Sequence, residues 1–416
     1  VYHVRRKAHD RCAFAEASSK VAPGASAEGE PMKLAHIAAA SLAACMMIAP
    51  APSSAAPLPP VRHVFVIVLE NEGVATTFGQ NSPSPYLSLA LPKQGAILLQ
   101  YFGTGHLSND NYLSMISGQA PNHDTQYDCQ TYSDFTGNQV GEYDQLLGSG
   151  CVFPSSVKTV ANQLDDAHLT WKGYMEDMGN DPQRESATCG RPQLGQPDHT
   201  QRAEAPNDRV PNGDAYASRH DPFVYFHSIV DDSAACDAKV VTLARLGADL
   251  QSIDTTPNLT YVVPNLCNDG HDAPCADGKP GGLISADLFL KHWVPLIQAS
   301  PAFKKDGLLV ITFDESEIVS RTDPDEPTTR GASGDSSACC NERAPNVEHA
   351  GILGPGGGYI GAVALSPFIK PGTVSSMPYN HYSLLRTIET IFGLSPLGYA
   401  AQPEIAPFGT DVFTAR

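Results

Sequence analysis

Gly103-Thr-Gly-His-Leu-Ser-Asn-Asp-Asn-Tyr-Leu-Ser-Met-Ile-Ser-Gly118 is the stretch on which the reading of this chain turns. Ahead of it, Ala96-Ile-Leu-Leu-Gln-Tyr101 is apolar and reads as a strand; behind its polar start, Tyr112, Leu113, Met115 and Ile116 read as the buried side of a helix. A strand that passes through a glycine-containing turn into a helix sets Ser108 at or near the helix N-terminus. There, unpaired backbone N–H groups and the helix dipole favour an anion. Two roles fit a serine at that position. It can cap the helix, as serine commonly does, or it can be a nucleophile with a phosphate as its guest.

Outward from this stretch, the apolar runs end in unusual residues. Val64-Phe-Val-Ile-Val-Leu69 reads as a central parallel strand buried on both faces, and it ends in Glu70-Asn71. Leu259-Thr-Tyr-Val-Val263 runs into Pro264-Asn-Leu-Cys-Asn-Asp-Gly-His-Asp272, and Leu308-Leu-Val-Ile-Thr-Phe313 ends in Asp314-Glu315. Ile360–Leu365 is a further strand, and Leu169–Met175 another. Helices are expected at about 84–93, 156–167, Val241–Ile253, Ile284–Ala299 and Ser383–Phe392, the last opened by Asn380-His381. Residues 178–218 and 316–358 are rich in Gly, Pro and polar residues and read as long loops. Strands alternating with amphipathic helices give an α/β class: one doubly wound domain with a mostly parallel central sheet and helices on both faces.

In open α/β sheets, ligands bind beyond the carboxyl ends of the strands. Glu70, Asn71, Ser108, Asp269, Asp314 and Glu315 stand at such ends and His381 opens a helix, so together they form a candidate site for a divalent cation, one ion or two. Carboxylate, amide, hydroxyl and imidazole donors suit zinc, manganese, magnesium or calcium rather than copper. A cation there would activate the Ser108 hydroxyl and stabilise charge on a phosphoryl group.

The ends of the chain and its cysteines speak to location. Met32 to Ala56 has a short positive start, an apolar core and a small-residue end, so 32–56 is expected to be a signal peptide and 1–31 a non-native extension ahead of it. The expected mature part, 57–416, is then a single domain, secreted or periplasmic, with no stable membrane span once the signal is cleaved. Beyond Cys12 and Cys45, eight cysteines remain, an even number that suits disulfides in an exported protein. Close spacing suggests Cys129–Cys151 and Cys267–Cys275. The net charge of −18 argues against a nucleic-acid partner, whose backbone needs a basic surface.

Val68-Leu-Glu-Asn71, Ser108-Asn-Asp-Asn-Tyr112, Thr312-Phe-Asp-Glu315 and His381-Tyr-Ser-Leu-Leu-Arg-Thr-Ile-Glu389 together resemble the phosphoesterase family of secreted acid phosphatases and phospholipases C. That family is a branch of the alkaline-phosphatase-like superfamily, and the resemblance runs from about His63 to Leu394. It implies an alkaline-phosphatase-like fold and metal ligation by Glu70, Asn71, Asp314 and Glu315. It further sets Ser108 on the nucleophile and Asn111 on the phosphate-binding asparagine, with His106, His220 and His271 near the phosphate. Ser316-Glu317-Ile318 stands where the phospholipase branch commonly has His-Gly-Gly, and Asn268-Asp-Gly-His271 replaces the Asp-x-x-Gly-His of related phosphodiesterases. The expected activity is hydrolysis of phosphate monoesters through a phosphoserine, on a phosphorylated small molecule or lipid headgroup. A phospholipase C-type diesterase and a non-catalytic metal-binding module are the alternatives.

Overall fold

The computed structural model describes residues 58–319 and 333–413. All of them lie in one of the two units of the chain, Ser54–Arg416. The expected signal peptide at 32–56, and the extension before it, fall outside the described residues.

Eight strands form the central sheet: β1 His63–Leu69, β2 Ala96–Leu98, β3 Trp171–Met175, β4 Val240–Thr242, β5 Leu259–Val263, β6 Gly307–Phe313, β7 Ala362–Leu365 and β8 Thr373–Ser375. Their order across the sheet is β8-β2-β7-β6-β1-β5-β3-β4. β1 lies between β5 and β6 and is parallel to both; Val66 faces Tyr261 on one side and Val310 on the other. Its seven residues are all buried, which is why the run His63-Val-Phe-Val-Ile-Val-Leu69 is apolar throughout rather than alternating. β5 continues in parallel to β3 and β3 to β4. β7 alone runs against the others, pairing antiparallel with both β6 and β2.

Four helices matter for the site: α1 Ser108–Ser117, α2 Val160–Asp166, α3 Gly282–Ala299 and α4 His381–Phe392. All ten residues of α1 are buried, polar ones included. It stops at Gly118, whose φ of 69° suits glycine, and a Cβ there would meet the Leu397 carbonyl at 2.3 Å. α4 is capped by Asn380, whose side chain accepts from the Ser383 N–H at 3.0 Å. Because β1 sits inside the sheet with strands added on both sides of it, right-handed crossovers distribute the helices over both faces.

Three elements differ from expectation. The run Ala96–Tyr101 is broken: Ala96–Leu98 joins the central sheet, whereas Tyr101–Phe102 pairs in parallel with Tyr379–Asn380. The chain changes partner at Leu99 and Gln100, and apolar content alone does not mark that change. Val241–Ile253 is not a helix. Val240-Val241-Thr242 pairs with Gly173–Met175 as the edge strand, as its β-branched residues favour, and only Leu246–Asp249 is α-helical. The patch at 84–93 shortens to a π-helical turn, Tyr86–Ala90, whose first two N–H groups are taken by Asp287 of α3 at 2.9 and 3.0 Å. The expected disulfides Cys129–Cys151 and Cys267–Cys275 are both present, joined by Cys189–Cys236 and the adjacent pair Cys339–Cys340.

Candidate active site and metal-binding carboxylates

β1, β5 and β6 are neighbours, so their carboxyl ends bring Glu70, Asp269 and Asp314 side by side. All three are wholly buried. Two backbone bonds lock the exits together: Glu70 N–H donates to the Asp269 carbonyl at 2.9 Å, and Asp314 N–H to the Leu69 carbonyl at 2.8 Å. Asn71, at a φ of 55°, turns its N–H onto Asp314 Oδ1 at 2.9 Å and its Nδ2 onto Glu70 Oε2 at 3.1 Å.

Ser108 is the first residue of α1, and the residue before it, Leu107, has no side chain that caps the helix. The Ser108 hydroxyl donates to Glu70 Oε2 at 2.8 Å. One turn further on, the Tyr112 hydroxyl donates to Glu70 Oε1 at 2.6 Å. Positions i and i+4 share a helix face, so α1 presents two hydroxyls to the two oxygens of one carboxylate. The ring of Tyr112 also stacks on His220 at 5.1 Å. His220 Nε2 lies 3.4 Å from Glu70 Oε1, and neither ring nitrogen of His220 has a hydrogen-bond partner.

The electrostatics of this cluster are unfavourable as it stands. Burial first, then Asp314 and Asp269, push the Glu70 carboxyl well above the usual range. Burial, with Asp128 adding to it, holds Asp314 up at about 7. Asp269 is raised well above its ordinary value by burial, then by Asp272 and Asp314. Asp269 Oδ2 and Asp314 Oδ2 are buried without a hydrogen-bond partner. Burial, reinforced by Arg219 and His271, holds His220 well below the usual imidazole range, so the ring is neutral and its lone pair is available. Ligand atoms of Glu70, His220 and Asp269 all lie within 4.8 Å of one another. Clustered buried carboxylate oxygens and a neutral imidazole fit a divalent cation, which would offset their mutual repulsion. The second grouping of this kind, Cys267, Cys275 and Asp277, has its two sulfurs consumed in a disulfide.

A model of the phosphoesterase family matches residues 83–395. The chain belongs to the phosphoesterase family. Among curated members, it is 25% identical over 308 residues to a phosphate-repressible acid phosphatase of Penicillium chrysogenum, covering 74% of this chain and 54% of that protein. It is 25% identical over 361 residues to a phosphatidylinositol-3-phosphatase of Mycobacterium tuberculosis, covering 86% and 85%. Against the fungal acid phosphatases the matched region thus spans only about half of the relative's length. Among solved structures, an alkaline phosphatase superfamily protein from Vibrio parahaemolyticus is similar in fold, with a TM-score of 0.46 and 11% identity over 85% of this chain and 70% of that one.

The remaining candidates fall around this carboxylate cluster in different positions. His106 Nδ1 contacts Glu315 Oε2, and its Nε2 meets the Asp335 carbonyl at 3.0 Å; burial holds the ring down at about 4. His381 has both ring nitrogens engaged, Nε2 on the Asp314 carbonyl and Nδ1 with the Tyr101 hydroxyl at 3.3 Å, so it stands behind Asp314 rather than beside Glu70. Asn111 Oδ1 accepts from the N–H groups of Thr104 and Gly105 at 2.8 and 3.0 Å, and its Nδ2 donates to the Gly105 and Leu107 carbonyls. Its amide is spent on shaping the turn that delivers Ser108. His271 has a half-exposed ring, while its N–H donates to Asp269 Oδ1 at 3.0 Å.

Two contributors escaped the sequence reading. From the sequence Tyr112 reads only as part of the buried side of its helix; its spacing of four from Ser108 is the available signal. The other is the pair Asp128–Arg219. Asp128 Oδ1 accepts from the Asn109 N–H of α1 at 2.9 Å, while its Oδ2 lies 3.6 Å from Arg219 Nε. Asn109 Nδ2 returns to the Arg219 carbonyl at 3.0 Å. These contacts tie the start of α1 to the residue beside His220, and nothing in the local sequence pattern announces them.

Proposed function

We propose that the protein is an exported, metal-dependent phosphomonoesterase that works through a phosphoserine at Ser108. The observation that carries this reading is the Ser108 hydroxyl, at the first turn of α1, donating to Glu70 Oε2 among buried carboxylates. Glu70, Asp269, Asp314 and His220 would hold a divalent cation, whose chemistry is to polarise a phosphoryl oxygen and acidify the serine hydroxyl. The hydrogen bond to Glu70 directs the Ser108 proton inward and leaves the oxygen lone pairs toward an arriving phosphorus. As the Ser108 proton passes to Glu70, attack forms the Oγ–P bond and breaks the bond from phosphorus to the alcohol oxygen. The departing alkoxide takes up a proton from solvent, onto which the half-exposed ring of His271 also opens. Water then attacks phosphorus and Ser108 Oγ leaves.

One observation favours a monoester over a diester. The curated relatives bear the names of monoester phosphatases, acid phosphatase and phosphatidylinositol-3-phosphatase. The four disulfides support an exported setting, and no helix among the described residues is long and apolar enough to cross a membrane. The test uses the purified protein on p-nitrophenyl phosphate and on p-nitrophenyl phosphorylcholine, with and without a chelator. Hydrolysis of the first alone, abolished by the chelator, is expected; preference for the diester would overturn the reading.

A further inference from the structure

α3, Gly282–Ala299, is apolar both on the side that packs and on the side that does not. Leu283, Ala286, Phe289, Leu290, Val294 and Ile297 are buried. Ile284, Leu288, Pro295, Leu296 and Ala299 are exposed, and their spacing keeps them on one side of the helix. Ile284, Leu288 and Leu296 remain 47%, 59% and 43% exposed. A surface helix ordinarily turns a polar face to water, and a contiguous run of exposed apolar side chains marks a contact. The π-helical turn Tyr86–Ala90, tied to Asp287 of α3 through the Tyr86 and Leu87 N–H groups, adds Leu89, 56% exposed.

The exposed charge around this strip has one sign. Asp287, the sole acid of α3, is buried: its Oδ1 takes the two N–H groups of the turn, and its Oδ2 lies 2.8 Å from Lys291 Nζ. Asp306 is buried against His63. The exposed Lys and acidic residues from 282 to 306 are therefore Lys291, Lys304 and Lys305 alone. Gln298 Nε2 donates to Gln94 Oε1 at 3.3 Å, which brings the exposed Lys93 to the same end of α3 as Lys304 and Lys305. Trp293 stands half-buried beside the strip with its ring against His292, an apolar body with a polar tip of the kind that suits a membrane interface. In a chain of net charge −18, this is a cationic rim around apolar side chains.

That combination selects the occupant. A second copy bound through the same face would set lysine against lysine. A stable pair also needs about 20–30 residues a side, more than the strip and its rim supply. The strip is the convex side of a helix rather than a groove for a peptide. Apolar side chains flanked by lysines complement an anionic bilayer, which they enter to a shallow depth. We infer that α3 docks the protein peripherally on an anionic lipid surface. Ile284, Leu288, Leu296 and Leu89 enter the acyl boundary, and Lys93, Lys304 and Lys305 meet the headgroups. The acidic remainder of the molecule is repelled by the same lipid, which fixes the orientation.

The experiment sediments the purified full-length protein with phosphatidylcholine vesicles made with and without phosphatidylserine, at low and at physiological salt. It is repeated with the double variants Leu288→Gln/Leu296→Gln and Lys304→Gln/Lys305→Gln. Each lysine near an anionic surface is worth about fivefold in binding, so phosphatidylserine should strengthen binding by about tenfold or more. Added salt should weaken it. Either variant should lower binding about tenfold or more. Their melting temperatures and their turnover of p-nitrophenyl phosphate should stay unchanged, because the replaced side chains are exposed and outside the carboxylate cluster. No preference for phosphatidylserine, or a preference that either variant retains, overturns the assignment. So does a dimer in sedimentation velocity that the leucine variant abolishes, since the face is then covered by a second copy. Binding is read without substrate, so it stands or falls independently of the phosphomonoesterase reading.

Discussion

Ser108 and Glu70, 38 residues apart in the chain, meet through a hydrogen bond of 2.8 Å from the serine hydroxyl to one carboxylate oxygen. The bond joins the start of the buried helix to the exit of the central strand. Capping is set aside by position: Leu107 stands at the cap of this helix and Ser108 is already its first residue.

Tyr112 holds the other oxygen of the same carboxylate at 2.6 Å. Tyr112→Phe keeps the ring on His220 and removes only that donor. A hydrogen bond to a charged group is worth about 1.5–3 kcal/mol, so kcat/KM for a phosphomonoester is expected to fall roughly ten- to a hundredfold. The melting temperature with metal bound should change little.

Asp269 lies in a cluster whose charges repel one another without a cation. Asp269→Asn keeps an acceptor for the His271 N–H and removes one charge. In the presence of a chelator this variant should melt at a higher temperature than the parent. In its absence it should bind metal more weakly by at least about tenfold, since a ligand matters more than the outer-shell partners that cost 10–100-fold. Calorimetry and metal analysis of the same preparations read both effects, and their opposite signs are the expected signature.

Asp128 pairs with Arg219 where both side chains are largely buried. Asp128→Ala leaves the guanidinium without its counter-charge and frees the Asn109 N–H. Breaking such a pair is expected to cost about 3–5 kcal/mol of stability, measured by denaturant unfolding, and to lower kcat more than it raises KM.

Glu389 is wholly buried on α4, accepts from the Leu397 N–H at 2.7 Å, and is held up at about 8 by burial. Its folded value lies above its unfolded one, so its contribution is fully present below about 4.5, the ordinary value, and is lost as pH rises toward 8. Between those limits the folded state binds the extra proton, and stability falls with increasing pH. Glu389→Gln cannot ionise. It should therefore show a smaller drop in melting temperature between pH 5 and pH 8 than the parent protein.

How far the sequence disclosed this arrangement depended on whether a signal was local. Val64–Leu69 and Leu308–Phe313 are unbroken apolar runs that end abruptly in acids, so both the central strands and the positions of Glu70 and Asp314 could be read directly. The helix after Ser108 was visible from its apolar side. Its fully polar-lined burial was not, because Asn109, Asp110 and Asn111 look like a solvent-exposed first turn. Val240–Thr242 is three residues long, and the leucines that follow at helical spacing hid it. The disulfides divide the same way: Cys129–Cys151 and Cys267–Cys275 follow from proximity, but Cys189–Cys236 joins a loop to the helix Ser233–Lys239, 47 positions on. Asp128 and Arg219, 91 positions apart, one just after a short 3-10 turn and the other within one, meet only because the fold brings them together.

The most direct measurement is turnover of a phosphomonoester by the metal-loaded Ser108→Ala protein, with its melting curve recorded alongside. A serine that is the nucleophile gives a loss of about three orders of magnitude or more with a nearly unchanged melting temperature. Turnover within about tenfold of the parent would contradict the phosphoserine mechanism and leave Ser108 as a hydrogen-bond partner of Glu70 alone.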